Sequence, residues 1–428
     1  MENKDQLIPE TRVTYARLER LLQEALDTRV KFKSCSANRV GDMQGMLARI
    51  VKVSIEWSVQ SAELPASVIL KTPSAQVWEE ISEKFDDGTE VGEHIKELLE
   101  PDEEGDKRMR ENAHNQECAF YAFSKGKEEK LMTPKVYFVE RIDAVNEDSG
   151  VIVMEDLSDR GVVKEFYWFA SGLPLLKDLA AALARFQAMT LKDRSWLEDP
   201  NLKKTFSELI LPALPDKMTP EQLKQQTETV VAQMRKQPQY YTEAMIQMYE
   251  KMEPKSREDI IEQMTYGSTA HKELGMPDVL CHGDLHRCNI FLRTDENGDE
   301  RLAAIFDWQL CHGGSPVKDL VRFMPSSVDG PTRRQHTMAV LRHYYDTLTK
   351  EMGDEPVPFT MEQLVQNYKQ IFKNGAKVVG GVPLLVAMDK LFEEAEDKDK
   401  AKEGMLKHAR DIYEELIQLE DEGKTPWK

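Results

Sequence analysis

Three oxygen-bearing side chains in the second half of the chain have the types and the spacing that phosphoryl transfer requires. Asp284 and Asn289 lie five positions apart, and Asp307 follows eighteen positions after Asn289, at the end of an apolar run. Phosphoryl transfer from a nucleotide uses a carboxylate to accept the proton of the substrate hydroxyl, and oxygen ligands for the magnesium that bridges the phosphates. The order Asp-x4-Asn and then Asp matches the catalytic loop and the metal-binding aspartate of kinases. An ordinary polar loop with surface acids is the alternative interpretation.

The segment between Asn289 and Asp307 predicts how these residues come together. Residues 289–293 and 301–306 are short apolar-rich runs, and the polar residues 295–299 between them include the dipeptide Asn-Gly. Asn and Gly both tolerate positive φ, so this pattern predicts a β-hairpin. Because a hairpin brings its open ends together, we expect Asn289 and Asp307 to be neighbours in space.

A lysine and a glutamate earlier in the chain are candidates for a phosphate clamp. Lys71 ends the run 67–71, which predicts a strand, and Glu117 lies on or beside the helical face that carries Ala113 and Phe120. In kinases, the lysine that contacts the phosphates is paired with a carboxylate from a neighbouring helix. Lys71 and Glu117 predict such a pair, whereas a lysine at a strand end, taken alone, is most often a solvated side chain.

Two glycines lie in a turn-prone loop that precedes a predicted strand. Gly41 and Gly45 could let this loop close over phosphates through its backbone N–H groups. The spacing Gly-x3-Gly, with Met43 between, differs from the full glycine-rich pattern of kinases. A plain β-turn is therefore the alternative interpretation.

Several cysteine and histidine residues lie near Asp284 in the sequence, and a zinc site is one interpretation of them. The set consists of Cys281, His282, His286, Cys288, Cys311 and His312. It lacks the regular spacing of structural zinc ligands, and Gly283 disfavours a continuous helix carrying His282 and His286. We expect His282 to brace the loop through hydrogen bonds instead.

Four further residues, at positions 245, 248, 249 and 252, fall on one face of a predicted helix. They are Met245, Met248, Tyr249 and Met252. The favoured interpretation is helix core. An adaptable apolar wall of an acceptor pocket, which methionines suit, is the alternative.

The composition excludes some classes of partner and indicates a compartment. With 57 basic and 76 acidic residues the net charge is −19, which argues against a general nucleic-acid binder or a binder of anionic membranes. The five cysteines are odd in number and scattered, which suits a reducing compartment. The N-terminus lacks the pattern of a signal peptide, and no apolar run reaches membrane-spanning length. We expect a soluble, cytoplasmic protein whose partner is a small molecule.

The order of the predicted elements indicates an α+β protein, with strands first and helices after. The N-terminal elements are a helix at about 11–27, strands at 49–57, 67–71, 133–141 and 151–155, and a helix at about 107–125 with Gly126 as its stop. Apolar and polar residues alternate along 49–57, which is the period of a strand. The later patterns are mainly helical: Thr360-Met361-Glu362-Gln363 is a capping-box signature that predicts a helix start, and a charged amphipathic helix is expected near 407–420. We predict an N-terminal nucleotide-binding lobe over residues 1–157 and a C-terminal catalytic and substrate-binding lobe over 158–428, with a helical insertion at about 196–276.

The motifs around Asp284 and Asp307 resemble those of a known superfamily. The segments His282-Gly283-Asp284-Leu285-His286-x2-Asn289 and Ile305-Phe306-Asp307-Trp308-Gln309 are similar to the aminoglycoside phosphotransferase and choline kinase superfamily. More closely, the chain resembles the choline-kinase-like branch found in nematodes, allied to the insect ecdysteroid-kinase-like proteins. That likeness extends from about residue 28 to 425 and includes the segments 68–71, 114–117, 153–157 and 312–322.

This resemblance implies a protein-kinase-like bilobal fold and a role for each matching residue. Asp284 would be the catalytic base, and Asn289 and Asp307 would hold Mg²⁺. Lys71 would contact the α and β phosphates of ATP, with Glu117 as its partner.

The resemblance also implies an adenine site and a support for the catalytic loop. The segment Met154-Glu155-Asp156-Leu157 would receive the adenine, and Asp319 would be a structural carboxylate. Two positions depart from the family pattern: Met43 stands where a small residue is usual, and His286-Arg287-Cys288 replaces a segment that usually contains tryptophan.

These observations predict an ATP- and Mg²⁺-dependent phosphotransferase that acts on the hydroxyl of a small molecule. Gly283 and the pair Trp308-Gln309 differ from the corresponding residues of protein kinases, which favours a small acceptor. The acceptor could be steroid-like, a xenobiotic, a glycoside or an amino alcohol. A non-catalytic pseudokinase that binds a nucleotide or metabolite is the alternative, and a true choline or ethanolamine kinase would need an aromatic cage for its amine.

Overall fold

The computed structural model describes residues 5–40, 47–74, 92–93, 103–143, 150–170, 172–211, 219–420 and 425–427. In these ranges an N-terminal antiparallel sheet is followed by a larger, mainly helical part. This architecture confirms the predicted α+β class, with a small sheet lobe and a larger helical lobe. The loop residues Gly41, Met43 and Gly45 lie outside the described residues, and the lobe boundary at residue 157 remains a prediction.

The N-terminal sheet has five strands in the order β1-β2-β3-β5-β4, and every neighbouring pair is antiparallel. Its strands are β1 (Phe32–Arg39), β2 (Ala48–Trp57), β3 (Ser67–Pro73), β4 (Val136–Glu140) and β5 (Val151–Glu155). Along β2, buried side chains such as Val51 and Val53 alternate with more exposed ones, as the sequence predicted. They pack against helix α1 (Tyr15–Ala25), which adds Leu18 and Leu22 to the same core.

Helix α2 (Glu103–Ser124) packs against β3 and β4. It ends before Gly126, the predicted stop, whose φ of +79° is a left-handed conformation that favours glycine. Asn115 ties the helix to the chain after β4, because its amide donates to the carbonyl of Ile142 at 2.9 Å and its Oδ1 accepts from the Ile142 N–H at 2.8 Å. The inner face of α2, which includes Glu117, is thereby fixed relative to the sheet.

The helical part contains helices of 4 to 23 residues. The remaining helices are α3 (Glu128–Leu131), α4 (Leu173–Lys192), α5 (Phe206–Ile210), α6 (Pro220–Arg235), α7 (Glu243–Met252), α8 (Arg257–Glu273), α9 (Lys318–Ser327), α10 (Gly330–Met352), α11 (Met361–Ala376), α12 (Val382–Leu385) and α13 (Lys398–Glu420). Short 3-10 turns lie at Ser195–Leu197, Arg287–Asn289, Lys377–Gly381 and Asp389–Phe392. Helices α4 and α10 pack along each other, and the capping box at Thr360 starts α11 as predicted. Among the described helices, none is long and apolar enough to cross a membrane.

A buried ion pair joins the last helix to the helical core. Arg333 of α10 donates through Nε and Nη2 to the two carboxylate oxygens of Glu415 of α13 at 2.8 and 2.9 Å, and neither side chain is exposed. The four residues of α7 at positions 245, 248, 249 and 252 are also buried, within the main apolar cluster. This confirms helix core as the correct interpretation of the methionine face.

Two small antiparallel pairs of strands lie inside the helical part. Strand β6 (Val279–Cys281) pairs with β9 (His312–Gly314), and β7 (Ile290–Thr294) pairs with β8 (Glu300–Ile305). The loop 282–289 connects β6 to β7, and the residues that follow β8 lead into β9. These strands therefore position the loop that carries Asp284 and the segment that carries Asp307.

Candidate active site

The hairpin β7–β8 brings two of the candidate residues together. Ile290 pairs with Ile305, and the backbone N–H of Phe306 donates to the carbonyl of Asn289 at 3.1 Å. At the other end of the hairpin, Gly298 turns the chain with a φ of +84°. The predicted hairpin is confirmed, and Asn289 and Asp307 emerge from its open end.

Aromatic packing anchors the residue that follows Asp307. Trp308 is fully buried, and its ring stacks on Phe120 of α2 with a centroid distance of 3.9 Å and an interplanar angle of 5°. Phe186 of α4 packs edge-on against the same indole at 5.0 Å. Asp307 itself has a φ of +65°, a conformation that aspartate tolerates better than most residues. Since Phe120 lies one turn beyond Glu117 on α2, this stack fixes Asp307 relative to Glu117.

Lys71 bridges two carboxylates from different elements. Its Nζ lies 2.6 Å from Glu117 Oε2 and 2.5 Å from Asp307 Oδ1. Both Lys71 and Glu117 are buried, and Tyr121 donates a hydrogen bond to the second oxygen of Glu117 at 3.2 Å. The predicted pairing of Lys71 with Glu117 is thus present in the structure. The additional contact with Asp307 links the sheet, α2 and the hairpin through one ammonium group.

The two carboxylates stabilise the positive charge of Lys71. Burial alone would lower the pKa of Lys71, but Asp307 and Glu117 outweigh it and raise the pKa well above its ordinary value. Burial raises the pKa of Glu117, and the neighbouring Lys71 counteracts only part of that effect. The lysine therefore stays cationic at any physiological pH and presents a fixed positive charge.

The catalytic-loop candidate is held by a buried carboxylate. Asp319 of α9, which is fully buried, accepts hydrogen bonds from the backbone N–H groups of His282 and Gly283 at 2.8 and 2.9 Å. Gly283 adopts a φ of +89°, and a Cβ there would lie 2.1 Å from the carbonyl oxygen of Leu310. Only glycine fits this position, so the loop geometry depends on it.

His282 braces the same loop, as predicted. Its Nε2 lies 2.9 Å from the carbonyl oxygen of Phe306, and its Nδ1 accepts from the backbone N–H of Asp284 at 3.3 Å. Burial lowers the pKa of His282, in keeping with a neutral ring that donates from one nitrogen and accepts at the other. The imidazole therefore couples the segment of Asp284 to the chain that leads into Asp307.

Asp284 is the most accessible of the candidate acids. Arg322 of α9 donates to its Oδ1 through Nε and Nη2 at 3.1 and 3.0 Å, and His286 Nε2 lies 3.5 Å from its Oδ2. Burial would raise the pKa of Asp284, but the hydrogen bond from His286 and the charge of Arg322 hold it well below the ordinary carboxyl value. The side chain remains 25% exposed, so a substrate can reach it as an ionised carboxylate.

The amide of Asn289 divides its hydrogen-bonding capacity. Its Nδ2 donates to the backbone carbonyl of Asp284 at 2.9 Å, which leaves the amide oxygen as the atom suited to a metal ion. Together with the carboxylate of Asp307, it forms a pair of hard oxygen donors, the ligand type that Mg²⁺ prefers alongside phosphate oxygens and water. Among the described residues there is no group of three or more His, Cys, Asp or Glu side chains arranged to hold a metal.

Most of the predicted nucleotide-binding residues line one cavity. It leaves about 180 Å³ open to water-sized molecules. The predicted site residues that line it are Lys71, Glu117, Met154, Glu155, Leu157, Asn289 and Asp307. Apolar walls come from Ile50, Ile69, Phe291 and Phe306. Asp284 lies outside this lining, on the neighbouring loop, so the cavity and the candidate base are adjacent but separate.

Asp156, which also lines the cavity, is held by two side chains. Its Oδ2 lies 2.6 Å from Lys52 Nζ and accepts a hydrogen bond from Ser67 Oγ, also at 2.6 Å. Burial opposes ionisation, but the hydrogen bonds from Lys52 and Ser67 prevail and lower the pKa of Asp156 to about 2. These contacts fix the chain where it leaves β5.

Two residues beside the predicted set were not identified from the sequence as contributors. Gln309 Nε2 donates to Asp307 Oδ2 at 3.2 Å, and Arg322 holds Asp284. Arg322 follows Asp319 by three positions on α9, so both side chains lie on one face of that helix. This spacing of three could have identified Arg322 from the sequence, because a cation that reaches the base is expected on the same face as the carboxylate that supports the loop.

The chain is similar to a protein family of known sequence pattern. A family model, DUF1679, described as "Uncharacterized oxidoreductase dhs-27", matches residues 1–424. The chain belongs to this family. The family and the kinase-like relative below confirm the predicted resemblance to a kinase-like protein family of nematodes.

Two Caenorhabditis elegans proteins are similar to the chain. "Uncharacterized oxidoreductase dhs-27" is 26% identical over 266 residues, which cover 60% of this chain and 30% of the relative. "Uncharacterized kinase-like protein D1044.1" is 33% identical over 102 residues, which cover 24% of this chain and 26% of the relative. The chain thus spans less than a third of the length of the curated relatives it matches.

Among solved structures, a choline kinase from Cryptosporidium parvum Iowa II is similar, with a TM-score of 0.42 and 10% identity over 91% of each chain.

Proposed function

We propose that this protein is an ATP- and Mg²⁺-dependent phosphotransferase that acts on the hydroxyl group of a small molecule. The observation that carries the proposal is the position of the Lys71 ammonium between Glu117 and Asp307, in a cavity that Asn289 also lines. A fixed cation beside two hard oxygen donors suits a nucleotide triphosphate and its metal. Residues 1–157 would supply the nucleotide site and residues 158–428 the catalytic loop and acceptor site.

Each residue of the site has a defined task in this proposal. Lys71 binds the α and β phosphates, and Glu117 keeps its ammonium group in place. Asn289 and Asp307 hold Mg²⁺, which when bound neutralises charge on the phosphates. Asp284 orients the acceptor hydroxyl and takes its proton, a task that suits a carboxylate held ionised by Arg322.

The adenine would lie against the part of the cavity that the end of β5 lines. Met154, Glu155 and Leu157 line that wall at the end of β5, and Ile50 and Ile69 add apolar surface on which a flat base can pack. These lining residues come from β2, β3, β5 and the chain directly after β5.

A non-catalytic nucleotide-binding protein is the second candidate. One observation favours it: both carboxylate oxygens of Asp307 are already engaged, by Lys71 at 2.5 Å and by Gln309 at 3.2 Å. A metal ion would have to displace at least one of these partners. The experiment below separates the two candidates, since a pseudokinase binds nucleotide without transferring phosphate.

The fold of this chain does not favour an oxidoreductase, the activity in the name of one relative. Dinucleotide-binding folds of dehydrogenases are built on a parallel sheet with a glycine-rich turn at its switch point. The five-stranded sheet described here is antiparallel in every pair. The match to that relative covers 30% of its length.

The proposal is tested by nucleotide binding and by phosphate transfer measured on the same variants. We expect MgATP to raise the melting temperature of the wild type, and a panel of alcohols to include an acceptor that is phosphorylated. Asp284→Ala should retain MgATP binding and lose transfer by about 100-fold or more, because it removes the general base. Asp307→Ala should lose both.

Asp346→Ala provides the matched control, since Asp346 is an exposed aspartate on α10. It should bind and transfer like the wild type. Binding of MgATP without transfer to any of a broad panel of acceptors would favour the pseudokinase, and equal turnover in Asp284→Ala would refute the assigned base.

A further inference from the structure

Arg322 and His286 both contact the carboxylate of Asp284. Arg322 donates to one of its oxygens at 3.0 and 3.1 Å, and His286 lies 3.5 Å from the other. The side chains of Asp284, Arg322 and His286 are 25%, 26% and 24% exposed. These three side chains therefore form a solvent-accessible polar cluster at the candidate base.

Arg287 places a second guanidinium near this cluster, within range of the charge of Arg322. Its guanidinium carbon lies 4.4 Å from the ring centroid of Phe169, and its Nη1 donates to the carbonyl oxygen of Ser326 at the end of α9. In the described part of the chain, Arg287 forms no ion pair with a carboxylate. A guanidinium group is cationic at neutral pH.

The neighbouring carboxylate and imidazole groups have other partners. Asp319 is fully buried beneath the loop, where two backbone N–H groups donate to its oxygens. Burial lowers the pKa values of His282 and His408, so both rings are neutral. Asp307 and Glu117 share the single ammonium group of Lys71. In the described part of the chain, Asp284 is therefore the carboxylate that pairs with Arg322, and no carboxylate pairs with Arg287.

An aromatic surface continues from Arg287. The ring under its guanidinium, Phe169, ends the run Phe166-Tyr167-Trp168-Phe169. Phe166 and Tyr167 pack on Phe392, with ring centroids 5.4 and 6.0 Å away, and both remain partly exposed. The aromatic run therefore adjoins the cationic cluster at Arg287.

We propose that the acceptor is an organic anion: an alcohol that also carries a carboxylate, sulfate or phosphate group beside Arg287 and Arg322, with an aromatic or apolar body against residues 166–169. The inference rests on the proposed phosphotransferase function, because it takes Asp284 as the residue that receives the hydroxyl. An ammonium alcohol would add a cation next to two guanidinium groups at short range, where like charges repel. An anion is attracted by the same groups and can accept hydrogen bonds from them.

Three alcohols that share one scaffold and differ in the charge of one substituent test this inference. Mandelate, 1-phenylethane-1,2-diol and 2-amino-1-phenylethanol share a benzylic hydroxyl and a phenyl ring, and are anionic, neutral and cationic at neutral pH. Their binding is measured by isothermal titration calorimetry on the full chain, with Mg²⁺ and a non-hydrolysable ATP analogue present. We expect mandelate to bind at least about 10-fold more tightly than the amino alcohol, with the diol between them.

Variants of Arg287 locate the effect. Arg287→Gln should abolish the preference for mandelate, and Arg287→Lys, which keeps the charge, should retain it. Neither variant should change the affinity for the ATP analogue, because Arg287 does not line the cavity of Lys71. Since the wild-type series needs no substitution, the test stands even if a variant folds poorly.

The inference is overturned if the amino alcohol binds as tightly as mandelate, if none of the three alcohols binds, or if Arg287→Gln leaves the order unchanged. Failure of the proposed function shows separately, as absence of Mg²⁺-dependent binding of the ATP analogue to the wild type before any alcohol is added.

Discussion

Replacing Asp319 with alanine should weaken the fold and disable the candidate base together. The carboxylate is fully buried and accepts hydrogen bonds at 2.8 and 2.9 Å from the backbone N–H groups of His282 and Gly283. The substitution leaves both donors buried without a partner, at a cost of about 1–3 kcal/mol each. Relief from burying a carboxylate offsets part of this cost, so we expect the free energy of unfolding to fall by about 2–4 kcal/mol.

The same change should reduce turnover more than nucleotide affinity. His282 and Gly283 immediately precede Asp284, so a loosened loop misplaces its carboxylate, and a displacement of about 1 Å can cost about 100-fold in rate. The cavity that holds Lys71 is built from the sheet, α2 and the hairpin. We therefore expect kcat to fall by about 100-fold while the affinity for MgATP changes little.

Urea unfolding followed by tryptophan fluorescence measures the stability, and acceptor phosphorylation measures the rate. Asp319→Asn retains one acceptor oxygen and should lose roughly half as much stability as the alanine variant. The exposed Asp346→Ala should stay within about 0.5 kcal/mol of the wild type. If Asp319→Ala also stays within that range, the carboxylate does not hold the loop and the reasoning is refuted.

Three further predictions concern the same region. Arg322→Gln should raise the pKa of Asp284, so the acidic limb of the pH profile of kcat/KM moves to higher pH; an unmoved limb would contradict the role of Arg322. Gly283→Ala should lower the melting temperature by more than Gly298→Ala. Both glycines have positive φ, but only at Gly283 would a Cβ meet a backbone oxygen, at 2.1 Å. Equal losses would show that the close approach is unimportant. Asp156 has a pKa of about 2 instead of 3.8, which corresponds to about 2 kcal/mol of stability that is present above pH 3.8 and lost as the pH falls towards 2. Asp156→Asn should therefore cost about that much at pH 7 in urea unfolding, with a deficit that shrinks below pH 4; a constant deficit would contradict this linkage.

The parts of the fold that follow local patterns could be predicted from the sequence. The alternation along β2, the Asn-Gly hairpin and the capping box at Thr360 are set by side-chain period and turn chemistry within a few residues. The pairing of Lys71 with Glu117 followed from a strand end and a helix face, because kinase-type sites combine these two elements.

Other parts depend on tertiary contacts that no local pattern shows. Strand β1 is mostly polar and exposed, because it lies at the edge of the sheet, so it lacks the alternation that predicts a strand. The first turns of α13 are highly charged, and the helix begins at Lys398 instead of near residue 407. The contact of Lys71 with Asp307 joins positions far apart in sequence, and it arises from the stacking of Trp308 on Phe120.

The most direct test of the central claim follows ATP by phosphorus NMR, with the purified protein, Mg²⁺ and the small-molecule fraction of a cell extract. The account predicts that ATP is converted to ADP and that a new phosphomonoester signal grows at the same rate, with the wild type and with Asp346→Ala but not with Asp284→Asn. ATP that remains intact with the wild type, or a phosphomonoester formed equally by Asp284→Asn, would contradict it.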